Sequence, residues 1–261
     1  MIYDFDGKKY EKASIHQQEW GNKLISELNL FGNEKILDLG CGNGTLTANL
    51  ADLVPNGSVL GIDASQGMLD VARYKKRDNL TFKLMNINKL ELSGKYDVIF
   101  SNATLHWIKD HQSLWKNVKN LLSEQGIVRF NFAADGNCQY FFRTIHKAMM
   151  LDEYKKFFKH FEWPWYMPSI EEYKKLVKPF SLSEIKIWGE KADYLFPDSE
   201  SIVGWINQPS IVPFLKLLPE NQKELFRNFV IEQMLKNTAQ ENGGYFETFR
   251  RINIYAKNAN A

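Results

Sequence analysis

Acidic and amide side chains recur through the first half of this chain at one kind of place, the C-terminal end of a short apolar run. Ile36, Leu37 and Leu39 make the first such run, of the type a buried strand requires, and Asp38 sits near its end. Gly40, Gly42 and Gly44 follow at alternate positions, and Thr45 to Leu53 reads as a helix that begins at once. Alternating glycines let the backbone take positive φ and let a ligand approach without meeting a Cβ. A strand, a glycine turn and a helix N-terminus together form a nucleotide-type binding edge. The spacing is not that of a dinucleotide loop, GxGxxG or GxGxxA, because the third glycine comes one position early and Thr45 stands where Gly or Ala is wanted. Asp38 would also repel a pyrophosphate at close range. The residue types suit a nucleoside ligand with a positive end instead.

The elements that position these residues follow in order. A helical pattern from about Ser14 carries Trp20, Leu24, Ile25, Leu28 and Leu30, with Tyr10 and Gln17 before or at its start. After the glycine-loop helix, Asn56-Gly57 marks a turn, and Ser58 to Ile62 is a second strand ending in Asp63. An acid at that tip can accept both ribose hydroxyls of a bound nucleoside. Its other reading is as a cap for the next helix, for which Ser65 is the better candidate. Leu80 to Met85, Tyr96 to Ser101 and Ile127 to Ala134 read as further strands, the last two separated by a helix from His111 to Leu122 and a turn at 124–126. Strands alternating with helices predict a parallel, doubly wound α/β sheet whose ligands bind outside the carboxyl ends. Asp38, Asp63, Asn86 and Asn102 all fall at those ends.

Beyond residue 134 the rhythm breaks. Two or three helices interrupted by Pro164 and Pro168 surround an aromatic knot of Phe161, Trp163, Trp165 and Tyr166. Strand character returns at 183–188, at 194–196 and at 249–256, with a helical region through Trp205 and a long amphipathic helix from about Pro219 to Leu235. The expected organisation is a core over residues 1–134 holding the N-terminal helix and five strands. A helical lid follows over 135–181, and a segment over 182–261 completes a mostly parallel, seven-stranded sheet, with the tail fraying after Lys257.

Composition narrows the classes. Apolar residues are 44% and charged residues 25%, as in an ordinary globular domain, and 261 residues allow one large core with an added lobe. A net charge of +2, spread along the chain, argues for neither nucleic acid nor an anionic membrane as partner. The two cysteines, Cys41 and Cys138, suggest neither a disulfide framework nor a metal cluster. No apolar run reaches the ~20 residues that span a bilayer and no stretch resembles a signal peptide, so a reducing cytoplasm is the expected compartment.

The stretch LDLGCGNG resembles the first motif of the class I methyltransferases that use S-adenosylmethionine (SAM), a ligand whose sulfonium and α-amino group supply the positive end. More narrowly, the chain is similar to the trans-aconitate and juvenile hormone acid methyltransferase group, which methylates carboxylates. That similarity rests on Tyr10 with Gln17, GIDASQGML at 61–69, SNATLHWIKDH at 101–111 and WPWYMPSIEEY at 163–173. It implies a Rossmann-like fold, SAM as cofactor with S-adenosylhomocysteine as product, and a small-molecule acceptor. Gly40, Cys41, Gly42 and Gly44 would pass under the methionine part, with Asp38 near its amino group and the Asn102 carbonyl beside it. Asp63 would hold the ribose, Ala64 and Met68 would pack on the adenine, and Tyr10 and Gln17 would close over the cofactor. Asn86 stands where the family has Asp; its amide oxygen would accept from the adenine amino group with some loss of affinity, while the Ile87 N–H meets a ring nitrogen.

His106 and Trp107 follow the fourth strand on the acceptor side. His106 reads either as a positioning residue or as a general base, and Trp107 as a pocket wall or as core. A carboxylate acceptor is ionised at pH 7 and needs no base, only cations or donors to hold it, for which Arg143 and Arg250 are candidates. Three rival readings stand beside it: a methyltransferase for a carrier-protein thioester acid, an amine or a lipid; a non-catalytic SAM-binding module; and a nicotinamide oxidoreductase, which would need the GxGxxG loop this chain lacks. A monomer is expected.

Overall fold

The structure, a computed structural model, describes residues 4–258 (backbone only at 12, 13, 208 and 209). The tail beyond 258 lies outside the described residues, and Asn258 itself ends a strand.

The N-terminal lead-in is two helices rather than a polar segment and one helix. Asp6 accepts from the N–H groups of Lys8 and Lys9 at 3.1 Å and starts α1 (Gly7–Ala13), so Tyr10 is helical. Helix α2 (Ile15–Ser26) follows at once and buries Leu24 and Ile25. Strand β1 (Lys35–Leu39) leads into the glycine loop and α3 (Thr45–Leu53). Strand β2 (Ser58–Asp63) and helix α4 (Gln66–Ala72) come next, α4 being capped by Ser65 Oγ, which accepts from Met68 N at 3.3 Å. Strand β3 (Leu80–Leu84), strand β4 (Tyr96–Asn102), helix α5 (His111–Leu121) and strand β5 (Leu122–Ala133) complete the first half. The turn expected at 124–126 is absorbed into β5 as an irregularity: Tyr96 pairs with Leu122 but Val98 already pairs with Ile127.

The second half contains α6 (Gln139–Met149), α7 (Ile170–Val177), β6 (Leu182–Lys191), β7 (Tyr194–Phe196), α8 (Ser199–Trp205), α9 (Val212–Leu215), α10 (Glu220–Thr238), β8 (Tyr245–Glu247) and β9 (Arg250–Asn258). The main sheet runs β3-β2-β1-β4-β5-β9-β6, parallel except for β9, which is antiparallel to both neighbours. That is the doubly wound, mostly parallel, seven-stranded sheet read from the sequence. Residues 194–196 join β8 in a separate two-stranded ribbon.

Three apolar clusters hold the layers. Leu24 and Ile25 of α2 pack with Leu50, Ala51 and Val54 against Ile36, Val98 and Phe100 on one face. Leu114, Trp115 and Val118 of α5, joined by Tyr173 and Val177 of α7, cover the other face. An aromatic cluster of Phe141, Trp205, Phe214, Phe226 and Phe249 stands above the strand ends, built from α6, α8, α9 and α10. Chain order reverses between β1 and β4, and the crevice that this switch opens is where an α/β sheet binds its ligands.

Candidate active site

A cavity of about 930 Å³ occupies that crevice. Its size lies near the upper end for small-molecule sites and leaves room for a cofactor together with an acceptor.

At its centre are two acids on neighbouring strands. Asp63 Oδ2 accepts from the Gly42 N–H and Oδ1 from the Ser65 N–H, both at 2.9 Å. The glycine loop is thus tied to the end of β2, and each oxygen keeps a lone pair for a ligand hydroxyl. Burial raises the Asp63 pKa, and the hydrogen bonds from Ser65, Gly42 and Ala64 oppose that shift. Asp38 is buried and takes Thr47 Oγ1 at 2.7 Å on one oxygen. Burial pushes its pKa up to about 7, opposed by the Thr47 bond and reinforced by the charge of Asp63. A carboxylate held in that state is stabilised by any cation brought beside it.

Gly40, Cys41 and Gly42 line the cavity; Gly44 does not. Gly44 takes φ 78° as the cap of α3, and a Cβ there would meet Phe82 Cζ at 2.7 Å and Ala72 Cβ at 2.9 Å. It therefore lets helix and sheet approach closely, the work of the third small residue in a dinucleotide loop, and does not contact a ligand.

Polar atoms without partners line the same cavity. Gln17 Oε1, Asn102 Oδ1 and Asn43 Nδ2 are buried and make no hydrogen bond, and all three residues line the cavity. Two acceptors beside a buried acid suit an ammonium group, and the Asn43 donor suits a carboxylate, which together are the groups of an amino acid. Asn43 was not singled out in the sequence, although it lies inside the glycine motif. The Asn102 carbonyl, expected to meet the amine, already accepts from Thr104 Oγ1 at 3.2 Å; the Asn102 side chain donates through Nδ2 to the Gln17 carbonyl at 2.9 Å and leaves Oδ1 as the freer acceptor. Tyr10 lines the wall from α1, and burial raises its phenol to about 12.

Ala64, Met68 and Ile87 form the apolar end, with Asn86 and Asn88 beside them. Asn86 departs from the expected role. Its Oδ1 accepts from the Asn88 N–H at 2.9 Å and from Asn88 Nδ2 at 3.1 Å, capping a 3₁₀ turn at Ile87–Lys89.

The opposite end holds His106, Trp107 and residues from the second half. His106 Nδ1 is buried without a partner. Burial, the charge of Arg251 and His111 lower its pKa to about 3, so the ring is neutral at pH 7 and a poor proton acceptor. Trp107 lines the cavity and stacks on Trp165 and Phe5 at 5.3 and 5.7 Å. Trp163, Trp165 and Tyr166 do not line it. They pack among themselves and on Phe142, His146, Phe214 and His111, and the segment between α6 and α7 contributes Phe157, Phe161 and Pro164 instead.

Neither Arg143 nor Arg250 reaches the cavity. Arg143 lies over the Tyr140 ring and Arg250 pairs with Asp193. The neighbour, Arg251, does. Its guanidinium is buried over the Trp20 ring at 4.5 Å, and Nε donates to Asn131 Oδ1 at 2.7 Å, joined by Nη2 on the same oxygen. Nη1 makes no hydrogen bond, and no carboxylate lies within ion-pair distance, among the described residues. Burial lowers its pKa only to about 10, so it is a cation at pH 7. The antiparallel register sets Arg251 opposite Ala133 at the end of β5, a placement invisible without the pairing. Ala103 and Cys138, at φ 55° and 51°, are the non-glycine residues of positive φ among those described, and both line the same cavity.

Residues 30–194 match the methyltransferase domain family, and the chain belongs to that family. With its seven-stranded sheet and its acid-flanked glycine loop, it is a class I SAM-dependent methyltransferase. The trans-aconitate 2-methyltransferase of Shigella flexneri is 26% identical over 264 residues, covering 97% of this chain and 98% of that one. The malonyl-[acyl-carrier protein] O-methyltransferase of Bacillus cytotoxicus is 34% identical over 154 residues, about half of each chain (54% and 54%). Among solved structures, the YcgJ protein of Bacillus subtilis overlays with a TM-score of 0.59 at 16% identity, covering 94% and 100% of the two chains. The phosphoethanolamine N-methyltransferase 2 of Haemonchus contortus, in complex with SAM, overlays with a TM-score of 0.56 at 18% identity, covering 96% of this chain and 58% of that one. At such identities these two likenesses speak to the fold alone.

Proposed function

We propose that this enzyme transfers the methyl group of SAM to a carboxylate oxygen of a small-molecule acid. The observation that carries the proposal is Arg251, a buried guanidinium without a carboxylate partner, in the wall of a cavity that also holds His106 and Trp107. A desolvated cation with no carboxylate in contact is costly, Glu190 acting on it only at longer range, and an anionic acceptor offsets that cost. Asn131 orients the fork through a neutral amide oxygen, so the positive charge stays available. Two relatives named for acidic acceptors, trans-aconitate and malonyl-[acyl-carrier protein], support an acid as acceptor.

SAM supplies an electrophilic methyl group on a sulfonium. The rest is the work of the chain. Asp63 holds the ribose hydroxyls, Ala64 and Met68 pack on the base, and the Ile87 N–H meets a ring nitrogen. The loop at Gly40, Cys41 and Gly42 runs under the methionine part. Asp38, Gln17 and Asn102 face the amino group and Asn43 the carboxylate, while Tyr10 closes the wall. Arg251 holds the acceptor acid, and His106 and Trp107 set its angle of attack. No base is required, because a carboxylate is ionised at pH 7, and this matches a histidine too weakly basic to serve as one. Alignment and exclusion of water by Phe157, Phe161 and Pro164 account for the remaining rate.

The test is transfer of labelled methyl from SAM to a panel of di- and tricarboxylates, longer-chain acids and aromatic acids, reading label in a base-labile ester. Ester formation on any of these acids supports the proposal. Label on amines or lipids, with none on acids, replaces carboxylate by another acceptor class.

A further inference from the structure

At position 86 the amide oxygen is already engaged, and the reason is local. The Asn88 backbone N–H, at 2.9 Å, can be met only by the oxygen of the Asn86 amide. That settles which end of the amide points where, a choice that heavy-atom positions otherwise leave open. Asn88 Nδ2 takes the second lone pair of the same oxygen at 3.1 Å. Both acceptor sites of Oδ1 are thereby used, and what Asn86 has left to offer is its NH₂ group. Asn86 lines the cavity next to Ile87, whose side chain is buried, and next to the end of β2, where the Met85 N–H donates to the Asp63 carbonyl at 2.8 Å. An Asp here could cap the turn with one oxygen and offer the second as an acceptor; Asn cannot do both.

We propose that Asn86 presents Nδ2 to the purine and therefore fails to select for a 6-amino group. With adenine the Ile87 N–H can be met by N1 while Nδ2 faces the 6-amino group unpaired; hypoxanthine carries a proton on N1, so it loses the Ile87 contact but satisfies Nδ2 with its 6-oxo group, one bond in each case. The base pocket of this chain accordingly accepts adenine without rejecting hypoxanthine, so a deaminated cofactor or product is a ligand as well. Asn88 shares in this arrangement: with Nδ2 turned toward Asn86, its own Oδ1 is the side-chain acceptor left at this end of the cavity.

The test compares S-adenosylhomocysteine with S-inosylhomocysteine by calorimetry on the wild type and on Asn86→Asp. Asp is nearly isosteric and still caps the turn through one oxygen, so the variant folds, which thermal melting verifies. The wild type is expected to bind the two ligands within about fivefold of one another, and Asn86→Asp to favour the adenosyl ligand by about tenfold or more, the worth of one exchanged hydrogen bond. A wild type that already rejects the inosyl ligand by more than about thirtyfold overturns the inference, as does an Asn86→Asp variant whose preference is unchanged. The readout is binding alone and stands whatever the acceptor proves to be.

Discussion

The two ends of the cavity are assembled in different ways. The cofactor end is built from residues that sit where consecutive parallel strands stop: Asp38 in β1, Asp63 closing β2, Asn86 after β3 and Asn102 closing β4. Each is placed by its own strand, so its position follows from local sequence. The proposed acceptor end draws on Trp20 from α2, His106 after β4, Cys138 before α6, Phe157 and Phe161 from the segment between α6 and α7, and Arg251 from the antiparallel β9. Long-range pairing and lid packing bring these together. One end can be read along the chain; the other exists only once the chain is folded.

If that division is real, substitutions at one end should leave the other intact. The largest effect is expected for Asp63→Ala. It removes the carboxylate proposed to accept the ribose hydroxyls, which also anchors the Gly42 and Ser65 N–H groups. S-adenosylhomocysteine affinity should fall by about a hundredfold or more, as two charge-assisted bonds would predict, and calorimetry measures it.

A pH series tests the cofactor end with a smaller effect. In the ligand-free protein Asp38 is half protonated near pH 7. Because the folded pKa lies above the ordinary carboxyl value, this group favours the free fold at low pH, and that contribution is lost as pH rises from about 4 through about 7. A bound ammonium favours the ionised form, so binding below pH 7 must release a proton. Affinity should weaken by up to about tenfold per pH unit from pH 7 downward and stay level just above it. Asp38→Asn should abolish the slope; a slope surviving that change would assign it to another group.

His106→Ala should be the mildest. A ring with pKa near 3 is not exchanging protons at pH 7, so turnover should drop about tenfold through lost positioning while ligand affinity changes by less than about twofold. No new titration step should enter the rate profile between pH 6 and 8. A step appearing there would restore the base reading.

The sequence carries the fold far because apolar runs of strand length alternate with helical ones, and because Gly44 and Ser65 mark helix starts that the structure keeps. It brings Asp38, Asp63, Asn86 and Asn102 to one cavity for the same reason. It misses α1, whose start depends on the single side chain of Asp6, and it gives Gly44 a ligand contact when the residue serves packing. The Asn86 reading fails on a competition invisible in one dimension, since the capping bond to Asn88 uses the oxygen that recognition was to use. Choosing Arg250 over Arg251 is a question of strand register: in β9 neighbouring residues face opposite sides, and a shift of one position exchanges cavity for surface. The Trp163–Tyr166 knot is aromatic because it roofs the sheet, and composition alone does not separate roof from wall.

The most direct measurement is ester formation and S-adenosylhomocysteine affinity in Arg251→Met, assayed side by side with the wild type. Met approximates the arginine stem over Trp20 and removes the charge, leaving Asn131 Oδ1 short of its donors at a cost of about 1–2 kcal/mol. The account predicts S-adenosylhomocysteine affinity within about threefold of wild type and a loss of about a hundredfold or more in kcat/KM for the acid, the worth of a buried charge-assisted pair. Undiminished ester formation, or a loss of S-adenosylhomocysteine binding as large as the loss of turnover, would contradict it.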